Sequence, residues 1–216
     1  MARHWIIGID EVGRGPLAGP VTVAAVALPR RVSSIKYKVP SIQKKKKGVI
    51  RLRDSKKLSP EQRETWFQWV KEKKIPYAIA SVSPRVIDKI NITQAANLAA
   101  TRAFKKLITK HKISISGTRV FLDGGLYVNK FPKLLTTNYK LQTIIKGDEK
   151  IPAISLASIV AKVTRDKRMA RLHKKYPRYN FHIHKGYGTR AHIAALVKYG
   201  PSDIHRLTFI RKFGTM

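Results

Sequence analysis

The chain has 216 residues, 43% of them hydrophobic, with 13 Gly and 11 Pro, an ordinary composition for a protein with a sizeable buried core. Forty-five Lys and Arg against twelve Asp and Glu leave a formal net charge of +33, which draws a polyanion by steering and counterion release whatever the fold. The absence of cysteine excludes a disulfide scaffold. The longest apolar run, 21–28, covers about a third of a bilayer span, so no membrane role is expected. The first four residues lead straight into a strand-like run without the pattern of a signal peptide, and a cytoplasmic protein is expected.

Apolar, β-branched runs at 6–9 and 21–28 predict two buried strands, joined by a Gly/Pro-rich return through Gly13-Arg14-Gly15-Pro16 and Gly19-Pro20. The segment 31–53 reads as a lysine-rich insertion loop. From residue 30 to 57 there are twelve basic residues and one acid, Asp54, a pattern of a solvated loop that also serves as a phosphate-binding arm. Ser59-Pro60-Glu61-Gln62 combines an N-cap serine, a proline in the first turn and a capping-box glutamine, and predicts a helix to about Lys74, stopped by Pro76. A strand follows at 78–82, a helix from Thr93 to about Thr109, and strands at 120–122 and 141–145. A helix from Ser155 to about Lys175 carries Leu156, Ile159, Val160 and Val163 on one face. Another runs from Thr189 as N-cap to Tyr199, closed by Gly200 and Pro201. Strands come early and helices late, which predicts a mixed α/β fold in one domain, 1–216, with a helical C-terminal region over 155–210.

The twelve acids can be taken one by one. Glu61 and Glu64 suit the first turns of a helix, Glu72 lies among lysines, and Asp88 and Asp203 fall in turn-like segments after proline. Asp10 and Glu11 differ, because they end an apolar strand where a glycine-rich turn begins. A buried carboxylate pair needs a cation, either a basic side chain or a metal. Asp123 repeats the pattern ahead of Gly124-Gly125, and Asp148-Glu149 follows the strand at 141–145. Strand-end acids in a very basic chain point to a hard-cation site on a phosphodiester. Neighbours on a regular strand face opposite ways, so Asp10 and Glu11 can both aim at one site only if the strand distorts.

Several stretches are more specific. Gly8-Ile9-Asp10-Glu11-Val12-Gly13-Arg14-Gly15-Pro16-Leu17-Ala18-Gly19-Pro20 resembles the opening signature of ribonuclease HII. So do Asp54-Ser55-Lys56-Lys57-Leu58-Ser59, Leu122-Asp123-Gly124, Gly147-Asp148, and the run from Ser155 to Asp166. His184-Lys185-Gly186-Tyr187-Gly188-Thr189 and the stretch from Gly200-Pro201 to Ile204-His205-Arg206 complete the series, which covers about residues 6 to 209. The resemblance implies an RNase H-like mixed central sheet flanked by helices. It implies an endonuclease that cleaves RNA hybridised to, or embedded in, DNA on the 5′ side of a ribonucleotide, leaving 3′-hydroxyl and 5′-phosphate ends. Asp10, Glu11, Asp123 and Asp148 become the catalytic acids, holding Mg²⁺ or Mn²⁺ in a two-metal site. Asp166 is another acid in a matching block, but Lys162, Arg165 and Lys167 around it point to salt bridging.

By the same resemblance Gly13, Arg14 and Gly15 grip the ribonucleotide, and Tyr187 stacks at its junction with DNA. Lys56, Lys57, Lys185 and Arg206 hold phosphates. The expected partners are RNA/DNA hybrids and ribonucleotide-containing DNA duplexes, with no obligate protein partner and a monomeric chain. His182, His184 and His192 have no compact zinc spacing and stay out of the metal set. Two stretches depart from the pattern: the lysine-rich insertion, and Leu126-Tyr127-Val128 after the Asp-Gly block. The rival readings are ribonuclease HIII, which adds an N-terminal substrate-binding domain, a Holliday-junction resolvase, and a basic binding protein without catalysis.

Overall fold

The computed structural model describes residues 4–30, 38–40, 49–52, 54–127 and 140–213. Strands β1 (Trp5–Val12) and β2 (Val21–Pro29) form an antiparallel pair in unbroken register from Trp5↔Pro29 to Val12↔Thr22. Two short strands, β3 (Lys38–Pro40) and β4 (Val49–Arg51), form an antiparallel pair of their own. Helix α1 (Pro60–Glu72) leads to β5 (Tyr77–Val82), then α2 (Pro84–Lys110), β6 (Arg119–Asp123) and β7 (Lys140–Ile144). A one-turn helix α3 (Gly147–Lys150) precedes the long α4 (Pro152–Lys175), followed by α5 (Phe181–His184), α6 (Arg190–Tyr199) and α7 (Leu207–Ile210). The main sheet runs β5-β2-β1-β6-β7, antiparallel across β5, β2 and β1 and parallel across β1, β6 and β7. A mixed sheet flanked by helices, with helices dominating the C-terminal third, is what the sequence predicts.

Side-chain alternation sorts the strands onto two cores. Ile7, Ile9, Val21, Val23 and Ala25 pack against the alanine-rich face of α2 (Ala95, Ala96, Ala99, Ala100, Ala103). Ala24, Val26 and Leu28 pack on the other face against α4 (Leu156, Ile159, Val160, Val163) and α1 (Trp66, Phe67, Val70). Gly8 lets α4 press directly on β1: a Cβ there would stand 2.2 Å from the Ala153 carbonyl carbon. That contact sets the start of α4 beside the end of β1, where the acids lie.

Four expectations need correction. Helix α1 stops at Glu72, because Lys74 turns to φ 50°. Helix α2 begins at Pro84, nine residues before Thr93, as two pieces joined at Asn91 (φ 63°, ψ 167°), whose Oδ1 accepts from the Gln94 N–H at 3.0 Å. Ser83-Pro84 is the same start signal as Ser59-Pro60. Asp88 therefore sits on a helix, not in a turn, and its carboxylate accepts from the Leu207 and Thr208 amides and the Thr208 hydroxyl. Part of the lysine-rich stretch is strand, with Ile50 buried in the core on the α4 side. Residues 31–37, 41–48 and 53, including the lysines at 44–47, lie outside the described residues. Among the described residues no helix is long and apolar enough to cross a membrane.

Candidate active site

Asp10, Glu11, Asp123 and Asp148 all line one cavity of about 350 Å³, together with Val12, Ser55, Lys56, Ser158, Lys162 and Tyr187. The distortion expected of β1 is absent, since its register against β2 holds through Val12. The parallel partner supplies the answer. Pairing of β1 with β6 ends at Ile9↔Leu122, so beyond it the cavity wraps the free end of β1 and receives side chains from both faces. Asp123 ends β6, and its Oδ1 accepts from the Gly147 N–H at 2.8 Å. Asp148 lies in the first turn of α3 rather than at a strand end.

Burial sets the electrostatics. Asp10 is 5% exposed, and desolvation, reinforced by the neighbouring Glu11 charge, holds its carboxyl well above the usual range. The Glu11 N–H at 2.7 Å and the Ser158 hydroxyl oppose that shift. Glu11 is also raised, by desolvation first; Arg14, 3.5 Å away, pulls the other way. Asp148 is pushed up to about 6 by desolvation and by the hydrogen bond its protonated carboxyl donates to Asp54, a buried acid that sequence reasoning assigned no role. Among the described residues Glu11 Oε2 is one of three buried side-chain polar atoms without a hydrogen-bond partner.

No three His, Asp or Glu side chains among the described residues stand close enough to hold an ion as they lie. The donor set nevertheless suits a hard cation: four carboxylates facing one cavity, one buried oxygen unpaired, and no soft ligand among them. Mutual repulsion keeps such acids apart until a cation offsets it.

The model of the family described as Ribonuclease HII matches residues 7–212. The chain belongs to the ribonuclease HII family. Ribonuclease HII of Caldicellulosiruptor bescii is 42% identical over 208 residues, 96% of this chain and 87% of that protein. The crystal structure of ribonuclease H2 from Pyrococcus horikoshii OT3 superposes with a TM-score of 0.67 at 23% identity, covering 97% of this chain and 96% of that one. Bst-RNase HIII, solved in complex with Mn²⁺, has a TM-score of 0.65 at 16% identity over 96% of this chain and 68% of its own. At those identities the two structures establish the fold. Membership in the ribonuclease HII family makes the chain a hydrolytic nuclease of the RNase H type 2 class.

The remaining ribonuclease HII blocks gather around the cavity. Leu17 and Ala18 donate to the Gly186 carbonyl, Gly19 donates to Ile204, and Arg206 N–H donates to Leu17, so the 13–20 loop is stitched to both later blocks. Tyr187 stands at the cavity rim, 42% exposed, and Gly15 lies beside its ring. Arg14 donates to the Gly125 carbonyl and, at 3.3 Å, to the Thr93 hydroxyl, besides its ion pair with Glu11. Lys56 lines the cavity, whereas Lys57 reaches Glu149 at 2.6 Å and the Lys185 ammonium reaches the His182 carbonyl at 2.6 Å. Asp166 pairs with Lys162 at 3.0 Å, as the helix spacing predicts.

Arg206 is a correction. It is fully buried, out of a phosphate's reach, and its guanidinium donates four of its five N–H groups to the carbonyls of Gly13, Arg14 and Gly19 at 2.6–3.0 Å. Arg165, equally buried, donates to Pro20, Ala18 and Lys185. Gly13 (φ 90°) is required here: a Cβ would stand 2.3 Å from Arg165 Nε. Sequence reasoning also missed Ser55 and Ser158, whose hydroxyls lie 2.8 Å apart beside Asp10. Both fall inside the quoted blocks, but a serine on an apolar helix face carries no signal of its own.

Proposed function

We propose that the chain hydrolyses the RNA strand of RNA/DNA hybrids and cuts 5′ of ribonucleotides embedded in duplex DNA. The oxygen of a water bonds to phosphorus as the P–O3′ bond breaks, leaving a 3′-hydroxyl upstream and a 5′-phosphate on the ribonucleotide. The observation that supports this is the convergence of four acids, one with an unpaired buried oxygen, on a cavity rimmed by Lys56 and Tyr187. Asp10, Glu11, Asp123 and Asp148 would hold Mg²⁺ or Mn²⁺, two ions in the full site. When bound, such ions supply Lewis acidity at the phosphate and make the attacking water more acidic.

The chain's own groups do the rest. Gly13 and Gly15 allow close backbone approach, and amides of the 13–15 turn are suited to read a 2′-hydroxyl, which distinguishes RNA from DNA. Arg14 sits between Glu11 and Gly125 and steers the ribose side of the cavity. Tyr187 packs against the sugar on the 3′ side, where a deoxyribose lacks the hydroxyl that would clash. Lys56, Lys57 and Lys185 collect phosphates without reading sequence. We read 1–216 as one domain working as a cytoplasmic monomer without an obligate protein partner, the lysine-rich 31–53 segment adding backbone affinity.

The test is cleavage, with Mg²⁺ or Mn²⁺, of a DNA duplex holding one ribonucleotide, beside an all-DNA duplex and a continuous hybrid. Cutting 5′ of the ribonucleotide, none of the all-DNA duplex, and loss of at least about 100-fold in Asp10→Asn and Asp123→Asn are expected. Equal cutting of all three substrates would sink the sugar discrimination, and binding without any cleavage would favour a non-catalytic role.

A further inference from the structure

Behind the Gly186–Tyr187 turn, three histidines are buried in a row. His184 is 9% exposed, His192 0% and His205 2%. The rings of His184 and His192 stack with centroids 4.4 Å apart, and His192 lies 5.3 Å from His205. Phe181 borders all three and Tyr179 meets His205 edge-on.

Their hydrogen bonds leave a single assignment of protons. The Gly186 N–H donates to His184 Nδ1 at 3.2 Å, so His184 carries its hydrogen on Nε2 and donates to the Tyr179 carbonyl at 2.6 Å. The Ser202 N–H donates to His205 Nδ1 at 2.9 Å, which places the His205 hydrogen on Nε2. That nitrogen is 3.0 Å from His192 Nε2, which must accept. The His192 hydrogen is thereby on Nδ1 and donates to the Tyr187 carbonyl at 2.9 Å. All three rings are neutral with both nitrogens in use. An added proton on His192 would set its Nε2–H against that of His205; one on His205 would set Nδ1–H against the Ser202 N–H, with the Ser202 hydroxyl, 2.9 Å away, as the acceptor at hand.

We propose that His205 and His192 are positioning residues, a one-way hydrogen-bond chain from the Ser202 amide to the Tyr187 carbonyl that fixes how Tyr187 is presented to the substrate. This rests on the reading of Tyr187 as the group that senses the ribonucleotide–DNA junction. With its ring 42% exposed at the cavity rim, Tyr187 gets limited support from side-chain packing. Its place is set by its backbone, whose N–H donates to the His184 carbonyl and whose carbonyl accepts from Thr189 N–H and His192. A shift of the chain at either histidine therefore moves the ring.

Burial pushes both His192 and His205 down to about 4, each assisted by a histidine neighbour. The groups facing His192 are His184 and His205; those facing His205 are His192, His184 and Asp203, the last favouring the charged form. Arg206, next in sequence, directs its charge to the 13–19 carbonyls instead.

Nitrogen-15 NMR of the imidazoles tests the chain in the intact protein. His192 is expected as the Nδ1–H tautomer and His205 as the Nε2–H tautomer, neither titrating between about pH 6 and 8. A His192 hydrogen on Nε2, or titration near the ordinary histidine value, overturns the proposal. Its consequence is read from kcat/KM on the single-ribonucleotide duplex against the continuous hybrid. His192→Phe keeps a ring and removes both nitrogens; the loss of one hydrogen bond predicts about a 3–10-fold drop on the first substrate and less than about 2-fold on the second. His192→Asn, whose amide nitrogen overlays Nδ1, should recover most of that selectivity. Equal losses on both substrates that track a lowered melting temperature overturn the proposal in favour of plain structural support. Tyr187→Ala separates the two layers. Selectivity lost there but kept in His192→Phe overturns the chain alone, while equal loss on both substrates in Tyr187→Ala overturns the junction reading and the chain's part in it.

Discussion

Two neighbouring regions bury polar groups on opposite terms. At the end of β1, Asp10 is buried and the Glu11 side chain nearly so, both with raised pKa values, and one Glu11 oxygen has no partner. Beneath the 13–20 loop, Arg165 and Arg206 are buried just as deeply, yet their guanidinium groups are taken up by six backbone carbonyls. The first region is costly without a ligand and rewards one; the second holds shape and offers nothing to a ligand. Burial alone does not separate a reactive group from a structural one. The unsatisfied valence does.

Replacing Arg206 breaks the satisfied region most severely. Arg206→Ala orphans the Gly13, Arg14 and Gly19 carbonyls together, which predicts a loss of about 3–5 kcal/mol and a melting temperature lower by about 10 °C. The salt dependence of hybrid binding should keep its slope in whatever fraction remains folded. A phosphate ligand would behave inversely, with an unchanged melt and a slope lower by about one counterion. Thermal melts and a log–log salt titration decide between the two.

The acid site and the histidine row behind Tyr187 also respond to acid with opposite sign. With Asp148 at about 6 against an ordinary 3.8, the folded protein binds more protons than the unfolded chain between those values. The stability from this group is present at low pH and is lost as pH rises through about 6. His192 and His205, at about 4 against 6.5, run the other way: their contribution is lost as pH falls from about 6.5 towards 4. Asp148→Asn should therefore stabilise the metal-free protein at about pH 8 by about 1 kcal/mol, discounted for the exposure of this carboxyl. Urea titrations should find that gain shrinking as pH falls below about 6 and closing near the ordinary 3.8. An offset independent of pH would break the contrast.

The unsatisfied region was the more legible in the sequence. Acids after apolar runs, at Asp10, Glu11 and Asp123, violate the strand pattern and mark themselves, and local signals located the five strands of the main sheet and the cap of α1. What stayed hidden is long-range. Nothing local to Arg206 reveals that it turns inward to Gly13, because that depends on a contact across almost the whole chain. The same holds for Ser158 beside Asp10 and for His192 against His205. Asp54 was visible as the one acid in a basic stretch, but its role emerges only when the fold brings Asp148 to it. The early start of α2 was missed although Ser83-Pro84 signals it, since the left-handed Asn91 interrupts the helical period.

The smallest expected effect concerns the basic rim, where the same distinction operates between adjacent lysines. Lys56 lines the cavity, while Lys57 is engaged by Glu149. A phosphate bound by Lys56 releases a counterion outright, so Lys56→Ala should reduce the salt slope of hybrid binding by about 0.7–0.9. Lys57 must first leave a carboxylate that partly neutralises it, so Lys57→Ala should reduce the slope by less. Glu149→Gln should bring the slope change on removing Lys57 up to that of Lys56. Neither lysine is buried, so melting temperatures should stay put and the comparison reads binding alone. Equal slope changes for both lysines in the parent chain would mean that the Glu149 contact gives way to the phosphate, and that at the surface, unlike in the two buried regions, a partner already in place does not set what a charge can do.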